Sequence, residues 1–275
     1  MPIRKGAPAL LSAGTLCAAL LLTGCARTAP PAPTPSNPKP PAAAPTPSTP
    51  KPPAAAPAPA APAPATPAPA AGDARPERAA RIPGIGPATH ARIPDGTTQA
   101  FVVTGATVDS NTAMTVLYER DAAGRWTEAA GPWPAHNALR GWTADHSAGD
   151  LRTPIGVFRI GDAGGRLPDP GARVPYDQDE EFAISGTGFS GESLEGSFDH
   201  VIAIDYNRVP GRTPLDKERP LGAEKGGGVW IHVDHGGPTQ ACVALERGTL
   251  RELLVALDPA REPVVIMGPA PELAR

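Results

Sequence analysis

A thiol is a nucleophile only as its thiolate, so a reactive cysteine needs a neighbour that takes its proton or holds the charge as an imidazolium pair. Cys242 has such a candidate ten residues upstream, His232, within the stretch 226–245, GGGVWIHVDHGGPTQACVAL. Between them Gly236-Gly237-Pro238 is a turn signal that folds the chain back and lets the two side chains meet. The pairing predicts a thiol acidified by the imidazole and alkylated well below about pH 8. His232, Asp234 and His235 also form a His-x-Asp-His cluster of metal-ligand types. If the strand runs on through them, residues 232 and 235 point to opposite faces, so no metal is expected. His235 then belongs at the mouth of the loop, as a substrate contact or a solvated residue. His136, His146 and His200 have no comparable context and read as surface or structural residues.

The elements that must hold these residues read mostly as strands. Short β-rich runs broken by turn residues cover 100–104, 114–120, 125–128, 156–160, 201–206, 229–233 and 264–267. In the 229–233 run, Val229, Ile231 and Val233 share one face and form its core side, which leaves Trp230, His232 and Asp234 on the other. Residues 121–124, Asp-Ala-Ala-Gly, make a hairpin connection between two runs. One helix is signalled over 249–257. Thr249 and Glu252 fit a capping box, Leu250, Leu253, Leu254 and Leu257 form an apolar stripe, and Asp258-Pro259 stops it. The expected fold class is mostly β with one helix on the C-terminal side, the Leu stripe being core.

The first part of the chain is different in kind. Eighteen of the 38 prolines fall within 30–69, and no Asp or Glu precedes Asp73. Arg4 and Lys5 precede an apolar run, 7–22, too short for a comfortable membrane span, which reads as an export signal. It ends in Leu22-Thr23-Gly24-Cys25, which resembles the bacterial lipoprotein signal, cleaved before a cysteine that is then lipidated. That implies a signal peptide over 1–24, a lipid on Cys25 and a location in the cell envelope, on the outer face of the cytoplasmic membrane. Cys17 leaves with the signal, so Cys242 is the one remaining thiol and no disulfide scaffold is possible. Residues 25–80 read as a spacer rich in Pro and Ala in which 32–45 recurs at 44–57. Nothing in it can bury a core, and as polyproline II it would reach up to roughly 140 Å. The folded domain is placed at 81–275, with 82–98 either linker or the start of the fold. From Asp73 onward 28 acidic residues face 20 basic ones, a charge of −8 that disfavours nucleic acid as a partner. The acidic run 177–181 reads as a solvated loop, and the domain as a monomer.

Ile231-His232 followed by Pro238-Thr239-Gln240-Ala241-Cys242-Val243-Ala244-Leu245 resembles the active-site segment of the bacterial L,D-transpeptidase catalytic domain, in the short-loop branch that ends Pro-Thr-x-Gly-Cys-Val-x-Leu. Two upstream stretches agree in order. Gly149-Asp150-Leu151-Arg152-Thr153-Pro154-Ile155-Gly156-Val157-Phe158 resembles the family's Gly-Asp-x-Arg-Thr-Pro-x-Gly-x-Phe segment, and Ile204-Asp205-Tyr206-Asn207 its Tyr-Asn strand. The resemblance implies a β-sandwich or barrel-like domain acting on peptidoglycan stem peptides, without cofactor. It makes Cys242 the nucleophile and His232 the base and then acid, oriented by the carbonyl of Val233. Backbone N–H groups at Ala241 and Cys242 would form the oxyanion site. Arg152, Thr239, Trp230 and His235 are the candidate substrate contacts, with Arg152 toward the stem peptide's carboxylate.

The chain departs from that pattern at three positions. Gln240 stands where most members have a second His, a position that varies in this branch. Ala241 stands where the family has Gly, which is costly if the turn needs a positive φ, and Ala244 replaces the usual Asn or Arg. Two other readings therefore stand beside the transpeptidase: an L,D-carboxypeptidase, in which water takes the acyl group, and a non-catalytic wall-binding lipoprotein on a degenerate domain.

Overall fold

The computed structural model describes residues 79–275. The signal peptide read over 1–24, the lipidation of Cys25 and all but the last two residues of the spacer lie outside the described residues. The described residues are mostly β, with one helix longer than four residues. A short helix α1 (Pro87–His90) precedes strands β1 (Gln99–Gly105), β2 (Thr112–Arg120) and β3 (Trp126–His136). The small pair β4 (Trp142–Thr143) and β5 (Thr153–Pro154) follows, then β6 (Gly156–Arg159), β7 (Asp162–Gly165), β8 (Tyr176–Gln178) and β9 (Val201–Ala203). The C-terminal part adds β10 (Trp230–Val233), β11 (Val243–Leu245), helix α2 (Arg247–Ala256), β12 (Val264–Pro269) and a short α3 (Ala270–Leu273). Apart from β4 and β5, all strands join one ten-stranded mixed sheet in the order β6-β12-β1-β2-β3-β11-β10-β9-β7-β8.

A sheet of this many twisted strands curls, and here its ends approach each other. Asp205 N–H, just after β9, donates to Arg159 O at the end of β6, 2.9 Å. Beside it the buried Arg208 guanidinium bonds Asp162 at 2.7 Å and Asp205 at 2.5 Å. The enclosed core contains Phe101 and Val103 of β1, Ile231 and Val233 of β10, Val265 and Met267 of β12, and the α2 leucines. The other faces of β1 and β12 are also covered: Ala100, Val102, Val264 and Ile266 pack with Ile82, Ile85 and Leu273. Strands buried on both faces show continuous apolar runs, and the stretch at 82–98 is thereby part of the fold, its Ile82 fully buried.

Several elements differ from expectation. The 125–128 run extends to His136 as β3, while the 201–206 run ends at Ala203, because beyond Ile204 the backbone leaves the β10 ladder. Asp205 N–H goes to Arg159 O, Tyr206 N–H turns back to Ile204 O, and Asn207 sits at a φ of 46°. The helix starts at Arg247, because Glu246, not Thr249, is its cap. The Glu246 carboxylate accepts from Thr249 N–H at 3.0 Å, and Glu252 is left exposed. Strand β7, Asp-Ala-Gly-Gly, carries no strand propensity. Its glycines serve close approach, since a Cβ at Gly164 would overlap Asp177 O and the Phe182 ring. The 121–124 connection forms as read, with Gly124 at φ 76° and Asp121 and Arg125 bonded across it. Among the described residues no helix is long and apolar enough to cross a membrane.

Candidate active site

The alternation read for β10 holds: Val229, Ile231 and Val233 are core residues, and His232 faces away from them. Strand β11 runs parallel to β10, with His232 beside Ala244 and Ile231 beside Val243. That register sets Cys242, one residue before β11, next to Trp230. Its Sγ accepts from Trp230 N–H at 3.4 Å and donates to Gly228 O at 3.7 Å. His232 Nδ1–H donates to Val233 O at 2.9 Å. This fixes the tautomer that leaves Nε2 as the basic nitrogen. His232 and Cys242 line one cleft of about 470 Å³. Among the described residues the amides of Ala241 and Cys242 donate to no protein acceptor. Ala241 is not among the non-glycine residues with positive φ, so its Cβ carries no strain.

The thiol is not acidified in this resting arrangement. Burial pushes Cys242 up to about 11, only partly offset by the Trp230 N–H, and burial pushes His232 down to about 4. Both partners are neutral, contrary to the sequence expectation of a low-pKa thiol, because spacing carries no information on desolvation. The folded domain thus resists protonating His232 where the unfolded chain, at 6.5, accepts the proton. The corresponding stability is complete above pH 6.5 and lost as pH falls toward 4, by up to about 3 kcal/mol. The raised thiol acts in the opposite sense, with stability lost as pH rises from 9 through 11. Urea midpoints across pH should show both limbs, with His232→Gln flattening the acid one. An unchanged acid limb in that variant would refute the assignment.

The turn after β10 places His235 on the same cleft as Cys242, with a side chain only 5 % exposed and so not a solvated residue. The strand ends at Val233, and the His235 ring stacks on His232, centroids 5.7 Å apart and planes 13° apart, instead of facing away. His235 Nδ1–H donates to Glu192 at 3.0 Å, a residue the sequence reading did not single out. Phe198 packs edge-on against His232, 5.4 Å between centroids. No group of three metal-ligating side chains occurs among the described residues. The Trp230 ring packs between Phe182 and Phe198 and does not line the cleft, so its contribution to the site is its backbone N–H.

The side chains of two other candidate contacts are engaged within the protein. Arg152 lies outside the cleft, its guanidinium on Trp142 O at 3.1 Å and Asp109 at 3.4 Å. Thr239 borders the cleft, but its hydroxyl donates to Cys242 O at 2.6 Å, and its backbone pairs with Asn137 and Leu139. It is a staple for the nucleophile's loop. Ala244 is fully buried, with His136 and His232 as its ladder partners. His136 itself pairs with Asp234 at 3.0 Å, and His200 is buried on Tyr176 at 2.8 Å, as structural residues would be. His146, read in the same way, is buried and lines the cleft.

Beside the thiol, Gly226, Gly227 and Gly228 form a cleft wall of bare backbone, all at positive φ. The resembling Tyr206-Asn207 pair braces it: Tyr206 Oη donates to Lys225 O, and Asn207 Nδ2 donates to Gly226 O at 2.6 Å and Gly222 O at 2.9 Å. Asn207 Oδ1 accepts from Leu221 N–H at 2.7 Å. Asn207→Ala would strand these groups and keep a left-handed φ, a loss of about 3 kcal/mol. Calorimetry should find Tm lower by about 6–12 °C, and an unchanged Tm would show that the wall stands without Asn207.

Exposed Phe189 and half-buried Leu194 and Ile184 supply apolar surface from the stretch 184–198, while no Lys or Arg lines the cleft. The arrangement offers a nucleophile, an oriented neutral base, unpaired amides beside the nucleophile, and a cleft with room for a short peptide. Set beside known proteins, the chain matches no protein-family model and no curated sequence.

Proposed function

We propose that this protein is a cysteine-dependent acyltransferase of the cell wall, an L,D-transpeptidase acting on peptidoglycan stem peptides. The observation that carries the reading is the tautomer of His232, fixed by Val233 O, on the same cleft as Cys242 and the unpaired amides of Ala241 and Cys242. In the proposed reaction the thiol proton passes to His232 Nε2 as Sγ attacks the carbonyl between the third residue of a tetrapeptide stem and its terminal D-Ala. The C–N bond breaks, the proton leaves on the amine of D-Ala, and the acyl group remains as a thioester on Cys242. The side-chain amine of a second stem then attacks the thioester, gives its proton to His232, and departs as a 3-3 cross-link while the thiol is restored. Negative charge on the carbonyl oxygen would be met by the Ala241 and Cys242 amides. The step uses no cofactor, and the thioester conserves the energy of the bond it replaces.

The non-catalytic reading drew on Ala241 and Ala244, and it weakens on one of the two counts. That holds only for Ala241, which has no positive φ; Ala244 is a fully buried ladder residue, and the side-chain contact of the usual Asn or Arg stays absent. The lipoprotein signal ending at Cys25 supports anchoring of this activity to the outer face of the cytoplasmic membrane. The test is mass spectrometry of tetrapeptide muropeptides incubated with the protein. Loss of D-Ala with dimers formed is the expected result. Tripeptide monomers instead would make water the acceptor, giving the L,D-carboxypeptidase, and an unchanged substrate would sink the catalytic reading.

A further inference from the structure

The Glu192 carboxylate is seated between two glycines, Gly188 of its own loop and Gly237 of the turn after β10; a Cβ on either would overlap it. It accepts Ser190 N–H at 2.8 Å and His235 Nδ1–H at 3.0 Å, and both partners of the latter bond are largely buried, 14 % and 5 % exposed. His235 in turn lies flat on His232, and Phe198 closes on His232 edge-on. The imidazole is thus held by three constraints: Val233 O on Nδ1, Phe198, and the His235 ring. Only the last depends on a residue from elsewhere in the chain with a charge of its own. Its own backbone N–H, then the Ser190 N–H and the His235 imidazole, hold the Glu192 carboxyl below its usual range against the effect of burial, so the acceptor is ionised.

We infer that Glu192, acting through His235, is a positioning residue that holds the ring of His232 in the orientation from which Nε2 takes the Cys242 proton. The inference rests on the acyl-transfer reading above and replaces the substrate-contact role first considered for His235. A base that must reach a thiol not yet bonded to it gains from a fixed ring plane, because a small misplacement of a reacting group carries a large rate penalty. Glu192 also belongs to the stretch that forms the apolar cleft wall, so the same bond registers that wall against the base.

The test compares wild type with Glu192→Ala, Glu192→Gln and His235→Ala by proton NMR of the imidazole N–H groups at neutral pH and by the kinetics of D-Ala release. The expected result is a His232 Nδ1–H signal that is sharp in wild type and broadened or shifted in Glu192→Ala and His235→Ala. In the same two variants kcat falls about 10- to 100-fold with KM little changed. Glu192→Gln keeps an acceptor oxygen for His235 and should fall between, so that it still decides the matter if Glu192→Ala does not fold. A raised KM with unchanged kcat would return His235 to substrate binding and overturn the inference, as would an unaltered His232 signal in folded variants. If wild type releases no D-Ala, the substrate reading fails, and the NMR comparison alone tests the positioning role.

Discussion

Cys242→Ala is expected to abolish D-Ala release, by on the order of 10⁴-fold or more, while leaving the domain folded. The chemical half follows from the site, since among the described residues Cys242 is the free cysteine and no other nucleophile occupies its place beside the unpaired amides. The structural half follows from its contacts. Cys242 keeps some exposure as a residue although its thiol is enclosed, and its Sγ makes two long hydrogen bonds to backbone, at 3.4 and 3.7 Å. Removing them costs little beside the Thr239 staple and the β11 ladder, which do not use the side chain. Intact-mass spectra should show wild type carrying a tripeptide acyl adduct and the variant carrying none. Release of D-Ala by a folded Cys242→Ala protein would place the chemistry elsewhere.

For His232→Gln the expected loss in kcat is about 10³-fold, because glutamine can fill the space but cannot take the thiol proton. The same residue sets the acid limit of the reaction. His232 must be neutral to act as base, and burial keeps it neutral down to about 4. Activity in kcat/KM should therefore hold through pH 5.5 and fall only as pH approaches 4, where an ordinary histidine would already have failed near 6.5. A profile whose acid limb lies near 6.5 would mean that His232 is not desolvated in solution.

What could be read from the chain was local. The period of two in 229–233 placed His232 opposite the core, and the Leu250, Leu253, Leu254 stripe placed α2, because both depend on neighbours a few residues away. The Val233 carbonyl that orients His232 was accessible from the resembling motif. What was not legible depends on contacts across long stretches of sequence. Glu192 reaches His235 from 43 positions away, through a loop with no periodic pattern. Arg152 meets Asp109, also at 43 positions, and so is spent outside the cleft. Thr239 has the chemistry of a substrate contact, and only the fold reveals that its hydroxyl closes on Cys242 O. The direction of the thiol shift likewise follows from enclosure, which no spacing encodes.

The position of β12 carries a consequence for biogenesis. It is the last strand in the described chain, yet it lies inside the sheet between β6 and β1, parallel to β1 and antiparallel to β6. During synthesis β1 and β6 therefore have no partner between them until residues 264–269 have been made. Pairing so distant in sequence closes slowly, and the waiting edges are templates for other chains. A chain cut short before Val264 would lose an interior strand, not a fringe, and should be found in aggregates instead of as a weakened but folded domain. The same delay keeps the nascent domain loose, which is the state in which a polypeptide can be threaded through a translocation channel.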